Sequence, residues 1–300
     1  MLPRLVVLAA LALPGAMTSS VTIPFSLHDT VLWTGRGDTL YTVVLGRKSL
    51  TVERGTTKRR DSFALAPFLS TLSSGADGIY AGTAVIKRFD NVPDVLLRID
   101  ARTLAIRARA SFASRVVPLA QGTSLWASIG DGHVVRLDPR TLAVLASSRT
   151  IGELSAPAAG LGSLWVVAKR SLIRLDPMTL AVRSTTTIPR SFGAQGAAVT
   201  ADADHVELVG AMIAPVAANG TIGPARRAMP GLQTAVADGA RLVGLTFPAS
   251  LVVLDLHGRP LAVSPLHDAG SVLSVSGGNA WFLGSTGHGN GIVQARLTRG

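Results

Sequence analysis

Two groups of residues in this 300-residue chain have side chains suited to chemistry rather than to a core. The first is cationic. Arg36, Lys87, Arg88, Arg115, Lys169, Arg170 and Arg190 fall in short polar breaks between apolar runs, with few acids beside them. Guanidinium forks and ammonium groups gathered at one place hold a carboxylate, a phosphate or an acidic sugar through charge-assisted hydrogen bonds. The second group is a pair of histidines: His267, followed by Asp268, and His288 in the glycine-rich stretch GSTGHGNG. A histidine acts as a general base only where a partner positions it. Partners are scarce here, since glutamate occurs only at Glu53, Glu153 and Glu207.

Other chemistries are absent from the sequence. It contains no cysteine, which removes disulfides, thiolate nucleophiles and Cys-ligated zinc. It has neither a G-x-S-x-G elbow nor an H-E-x-x-H helix, and no helix follows GHGNG to make it a phosphate loop. The acid-rich TADADH around Asp202 and Asp204 is the only local oxygen cluster, whereas calcium needs a convergent cage. No metal site and no cofactor are therefore expected. The net charge is +11, dominated by arginine, with lysine only at positions 48, 58, 87 and 169. These cations are scattered, and no RNA-binding aromatic motif, basic helix or zinc finger accompanies them, so specific nucleic-acid binding is not expected.

The elements that must position these residues are repeats. LLRIDARTLAIRA, VVRLDPRTLAVLA and LIRLDPMTLAVRS place Asp100, Asp138 and Asp176 at a spacing of 38 residues. A fixed period of this size marks stacked units, each too small to bury its own apolar face. Within one unit, a small-residue strand near 157–160 is followed by SLWVVA, then by the alternating LIRLD, an Asp-Pro turn, and the β-branched LAVRSTTTI. Four antiparallel strands per ~40 residues predict an all-β fold, a β-propeller. Second strands are predicted near residues 33, 80, 126, 165, 207, 243 and 281, giving seven four-stranded blades. The last blade is one strand short, and the N-terminal VTIPFSL is expected to close the ring. Asp100, Asp138, Asp176 and Asp255 are read as turn formers. Trp126, Trp165 and Trp281 are read as core residues between blades, with Tyr80 as a fourth copy of the second-strand aromatic.

The opening MLPRLVVLAALALPGAMTSS has the layout of a secretory signal peptide. Residues 1–20 are thus read as a leader, with cleavage between about Ala16 and Ser20, and residues 21–300 as a single propeller domain. The mature protein is expected to be monomeric, secreted or periplasmic (cell-envelope), with no transmembrane span. Composition agrees with a large apolar core, at 47% hydrophobic and 16% charged residues.

The elements SLWV, VVRLDPRT and LAV at this period resemble the YVTN (YncE-like) and streptogramin-lyase-like group of seven-bladed propellers. The resemblance is clearest across residues 76–190 and weaker across 235–297. It departs from the group where leucine (Leu142, Leu180) replaces the glycine of the usual Asp-Pro-x-Thr-Gly turn. Streptogramin lyases use histidine and glutamate near the channel with a divalent metal, and WFLGSTGHG carries glycine and serine where that group would place the acid. Function on such a scaffold belongs to the connections round one mouth. Fourth-to-first strand connections are expected to carry Arg115, Glu153, Arg190 and His267. Second-to-third connections are expected to carry Arg36, Lys87, Arg88, Asp131-Gly132-His133, Lys169, Arg170 and His288. The expected function is an exported binding module for a small anionic ligand or an envelope protein. The alternatives are a metal-assisted lyase or hydrolase using His267 or His288, and a scaffold that binds proteins through its blade rim.

Overall fold

Alternating apolar and polar residues resolve into seven four-stranded antiparallel sheets arranged as blades. The computed structural model describes residues 18–21, 30–45, 49–62, 68–84, 94–193, 197–239, 241–247, 250–265, 269–285 and 290–297. In chain order, β1 is Thr18–Val21. Blade 1 is β2 (Thr30–Arg36), β3 (Thr39–Leu45), β4 (Ser49–Arg54) and β5 (Thr57–Ser62). Blade 2 is β6 (Phe68–Gly75), β7 (Gly78–Ala84), β8 (Asp94–Ile99) and β9 (Ile106–Phe112). Blade 3 is β10 (Val116–Gln121), β11 (Ser124–Ile129), β12 (Val134–Leu137) and β13 (Val144–Ser147). Blade 4 is β14 (Ala158–Gly160), β15 (Ser163–Ala168), β16 (Ser171–Leu175) and β17 (Val182–Thr187). Blade 5 is β18 (Ala198–Ala201), β19 (Val206–Val209), β20 (Met212–Pro215) and the two-residue β21 (Arg226–Arg227). Blade 6 is β22 (Leu232–Asp238), β23 (Arg241–Thr246), β24 (Ser250–Asp255) and β25 (Pro260–Pro265). Blade 7 is β26 (Ala269–Ser276), β27 (Asn279–Ser285) and β28 (Asn290–Arg296), completed by β1.

The N-terminal segment does close the ring, starting three residues earlier than the sequence implied. Thr18 pairs with Ala295 and Val21 with Ile292, so β1, rather than residues 21–27, covers the edge of β28. Blade 1 carries a second correction. Trp33 lies on the first strand, β2, because the Gly37-Asp38 pair turns the chain directly after Arg36. The second strand of that blade is β3, with Tyr41 in the register position that Trp126 and Trp165 hold in theirs. The count of seven blades is unchanged.

The core lies between blades. In five blades the third residue of the second strand is an aromatic facing the following blade: Tyr41, Tyr80, Trp126, Trp165 and Trp281. All five are at most 5% exposed, and each buried ring of this size contributes on the order of 2–3 kcal/mol. Two of them also reach the next blade's turn. The Tyr80 hydroxyl donates to the Pro139 carbonyl at 2.9 Å, and Trp126 Nε1 donates to the Pro177 carbonyl at 2.8 Å. Burial pushes the Tyr80 phenol up to about 12, so it stays a donor. At the ring's join, Gly35 lets Trp281 lie against β2, since a Cβ there would fall 2.0 Å from the ring.

The repeated aspartates are turn formers, as read from sequence. Asp138 Oδ1 accepts the amides of Arg140 and Thr141, and Asp100 and Asp176 do the same in their turns. These bonds, the threonine amide's first, hold all three carboxyls below the usual range. The leucine closing each of these turns holds the left-handed conformation that favours glycine: Leu104, Leu142 and Leu180 have φ of 59°, 63° and 60°. Their side chains are at most 2% exposed. A left-handed leucine costs about 1–2 kcal/mol, and burying its side chain offsets that.

Two outcomes follow. A chain beginning at Met17 should unfold several degrees above one beginning at Thr22, which leaves the β28 edge open; equal midpoints would deny β1 a stabilising role. Leu142→Gly relieves strain but empties a buried site, so denaturant unfolding should show a net loss of about 1–3 kcal/mol. A gain would mean that strain outweighs burial.

Candidate functional site

Antiparallel blades place their connections on two mouths. Second-to-third and fourth-to-first connections share one; first-to-second and third-to-fourth turns share the other. Charge separates between them. Among the described residues, the second mouth collects Asp38, Asp77, Asp100, Asp138, Asp176, Asp202, Asp204, Asp238 and Asp255, against arginines 36, 54, 102, 140, 241, 259 and 296. Arg107 and Arg183 also pair with Asp100 and Asp176. Among the described residues, the first mouth carries Arg115, Arg149, Lys169, Arg170 and Arg190 against Asp94, Asp131 and Glu153. Asp94 is buried, leaving two exposed acids there.

The predicted cations meet different fates. Arg115, between β9 and β10, is exposed, and its carbonyl accepts the Gly130 amide at 2.8 Å. Lys169, exposed at a φ of 53°, forms the tight β15–β16 turn with Arg170. Arg170 is half-buried, and its guanidinium donates to the carbonyls of Gly193 (3.3 Å) and Ile188 (3.2 Å). Those carbonyls bracket the 3₁₀ turn Arg190–Phe192, which is pinned from below by the buried Phe192. Arg170 therefore shapes the connection that presents the exposed Arg190, and its own fork is occupied. Arg36 does not belong to this mouth. Once Trp33 sits on a first strand, Arg36 falls at the β2–β3 turn on the acidic side, where it donates to the Ala76 carbonyl at 2.9 Å. Lys87, Arg88, His267, Asp268 and His288 lie outside the described residues.

Structure adds two residues that the sequence reading passed over. Arg149 is exposed two residues beyond β13, lining a groove of about 370 Å³ with Ser147, Ser148 and the Thr179–Val182 segment. Thr150 completes a row. Asp131 Oδ1 lies 2.9 Å from His133 Nδ1, and His133 Nε2 lies 3.0 Å from Thr150 Oγ1. Carboxylate, imidazole and hydroxyl stand in the order of a nucleophile-activating relay. The row runs over exposed surface, where water solvates the hydroxyl and fixed dipoles gain little on a developing oxyanion. Its evident work is to tie the β11–β12 turn to the β13–β14 connection. Only spatial contact could have found Thr150, since nothing in its local sequence marks it. Among the described residues, no group of three or more histidines and acids is placed to hold a metal ion. No helix there is long and apolar enough to cross a membrane.

The chain is similar to the solved structure of BamB from Moraxella catarrhalis, with a TM-score of 0.63 and 14% identity, covering 95% of this chain and 100% of that one. It is also similar to a chain in the crystal structure of the mitotic checkpoint complex, with a TM-score of 0.70 and 12% identity, covering 100% and 95%. At these identities the likeness shows the fold alone. No protein-family model and no curated protein matches the sequence.

Replacing Arg170 by glutamine removes two charge-assisted bonds to backbone carbonyls. It should cost about 1–3 kcal/mol in unfolding and speed proteolytic cutting within residues 188–193. Unchanged cutting would mean that the connection holds its shape without the guanidinium.

Proposed function

We propose that this chain is an exported, non-catalytic β-propeller of the YVTN-like repeat class that binds an anionic partner at its cationic mouth. The charge separation between the two mouths carries this reading. Exposed Arg115, Arg149, Lys169 and Arg190 offer donors on a rigid ring, while the aspartates are spent on turns at the opposite face. A field of one sign across a mouth raises the encounter rate with the opposite charge and makes binding salt-dependent. The partner's chemistry is polyanionic: a uronate or phosphate polymer, or the acidic surface of an envelope protein.

A second reading rests on the rim. The outer strand β25 exposes Leu261 at 63% and Val263 at 43%, as the outer strand β13 exposes Val144 and Leu145. Most outer strands carry charge or polar residues, as in TKRRDS of β5; β25 reads PLAVSP. An uncharged apolar edge is a place where another chain can add a strand.

Titration of the chain with polygalacturonate, inorganic polyphosphate and an acidic peptide tests both readings. Simultaneous Arg115→Gln, Arg149→Gln and Arg190→Gln should weaken anion binding roughly tenfold and flatten its salt dependence, each exposed contact being worth about 0.2–1 kcal/mol. A partner that binds the triple variant as tightly as the unaltered chain does not use this mouth, and the rim reading takes its place.

A further inference from the structure

Blade 5 breaks the rule that five of the other blades keep. The residue of its second strand in the same register is Glu207, which pairs with Thr200 as Tyr80 pairs with Ser73 and Trp126 with Leu119. The bond from the Asp202 amide to the His205 carbonyl, at 3.0 Å, closes the hairpin tip and confirms the register. An acid thus stands where five blades carry a buried aromatic.

Its direction follows from the alternation of β19. Val206 and Leu208 pack with Trp165 and Val199 toward blade 4, whereas Val209 packs with Ala237, Leu242 and Leu254 of blade 6. Glu207 shares the face of Val209, so it points into the seam between blades 5 and 6, where it is 2% exposed. Among the described residues, no cation stands opposite it. Blades 1 to 4 place Arg54, Arg98, Arg136 and Arg174 opposite their aromatics, while opposite Glu207 stands Pro215. Glu207 Oε2 is buried without a hydrogen-bond partner, and so is Asp202 Oδ2.

The surrounding charges do not repair this. On blade 5, Asp202 Oδ1 accepts the amides of Asp204 and His205 and lies 3.3 Å from the His205 ring, and Asp204 is exposed at the tip. From blade 6, Ala237, Leu242 and Leu254 bring apolar surface. Asp238 and Arg241 pair with each other at 2.8 Å, on the face that Val243 turns toward blade 7. The β24–β25 turn carries Asp255, His257 and Arg259, with Asp255 Oδ1 accepting the latter two amides. Burial first, and the Asp202 charge second, raise the Glu207 pKa from 4.5 to about 8. Only the protonated carboxyl carries a donor, as Tyr80 and Trp126 do at the matching place.

We propose that Glu207 is a proton-held latch between blades 5 and 6, closed while the carboxyl carries its proton and loosened when it ionises. The unfolded chain gives up this proton near the ordinary carboxyl value and the folded chain near 8, so the folded state binds the extra proton between them. The stabilisation is complete below the lower value, declines as pH rises through the window, and is lost above the upper one.

Selective ¹³C labelling of glutamate tests the latch in the intact chain, because Glu53, Glu153 and Glu207 give only three carboxyl signals. One signal, assigned through Glu207→Gln, should titrate well above the other two. If all three move together in the ordinary range, the proposal fails. Between about pH 5 and about pH 9, the unfolding midpoint should fall on the order of 5–10 °C further for the unaltered chain than for Glu207→Gln. Parallel profiles overturn the latch. So does a midpoint at alkaline pH that millimolar calcium restores in the unaltered chain but not in Glu207→Gln, which would make the seam a cation site. If the glutamine variant does not fold, Glu207→Trp, which restores the aromatic of the repeat, serves as the pH-insensitive reference.

Discussion

Five of the seven blades reach into the next through a buried aromatic at the third position of the second strand, and the rest of the ring is arranged to let that side chain in. A blade alone has two apolar faces and no way to bury both, so its stability comes from its neighbours. The large rings of Trp165 and Trp281, fully buried, fill the wedge between twisted sheets. Small residues opposite them keep the sheets close: Ala158 faces Trp165 across the first hairpin, and Gly35 yields to Trp281. The arginines that lie opposite the aromatics are held by the same arrangement, as where the Arg174 guanidinium sits 5.9 Å from the Trp165 ring centroid.

The Asp-Pro turns belong to this constraint as much as to their own blades. Pro139 and Pro177 offer carbonyls to the preceding blade's Tyr80 and Trp126, and the leucines that close the same turns bury beside them. Turn chemistry, strain and interblade packing are thus one local bargain, repeated at a 38-residue spacing. The mouths inherit their charge from it. Aspartate is needed where third strands turn into fourth strands, and the opposite connections are free to carry arginine.

The repeats that satisfy this constraint fully were legible in the sequence. Asp100, Asp138 and Asp176 with Trp126 and Trp165 gave the period, the strand order and the seven blades, and placed Arg115, Lys169, Arg170 and Arg190 on their connections. Blade 1 misled because a tryptophan among β-branched residues looks alike in a first strand and a second. That one-strand offset carried Arg36 to the wrong mouth. The closing strand, TSSV, is short and polar and adjoins a leader-like run, so its partner β28 identifies it better than its own residues do. That the fork of Arg170 is occupied by two carbonyls is invisible to any pattern of residue types. Glu207 was visible as a number, one of three glutamates, but blade 5 lacks both the Asp-Pro turn and the aromatic that would have aligned it.

Interblade attachment through this one position predicts a graded stability round the ring, since local opening follows the buried contacts that resist it. Hydrogen exchange of the intact chain at neutral pH, resolved by strand, measures that gradient directly. The amides of β11, β15 and β27, which carry Trp126, Trp165 and Trp281, should be the slowest, and those of β19, which carries Glu207, should exchange first among the second strands. Uniform protection, or β11 and β15 opening before β19, would contradict the account.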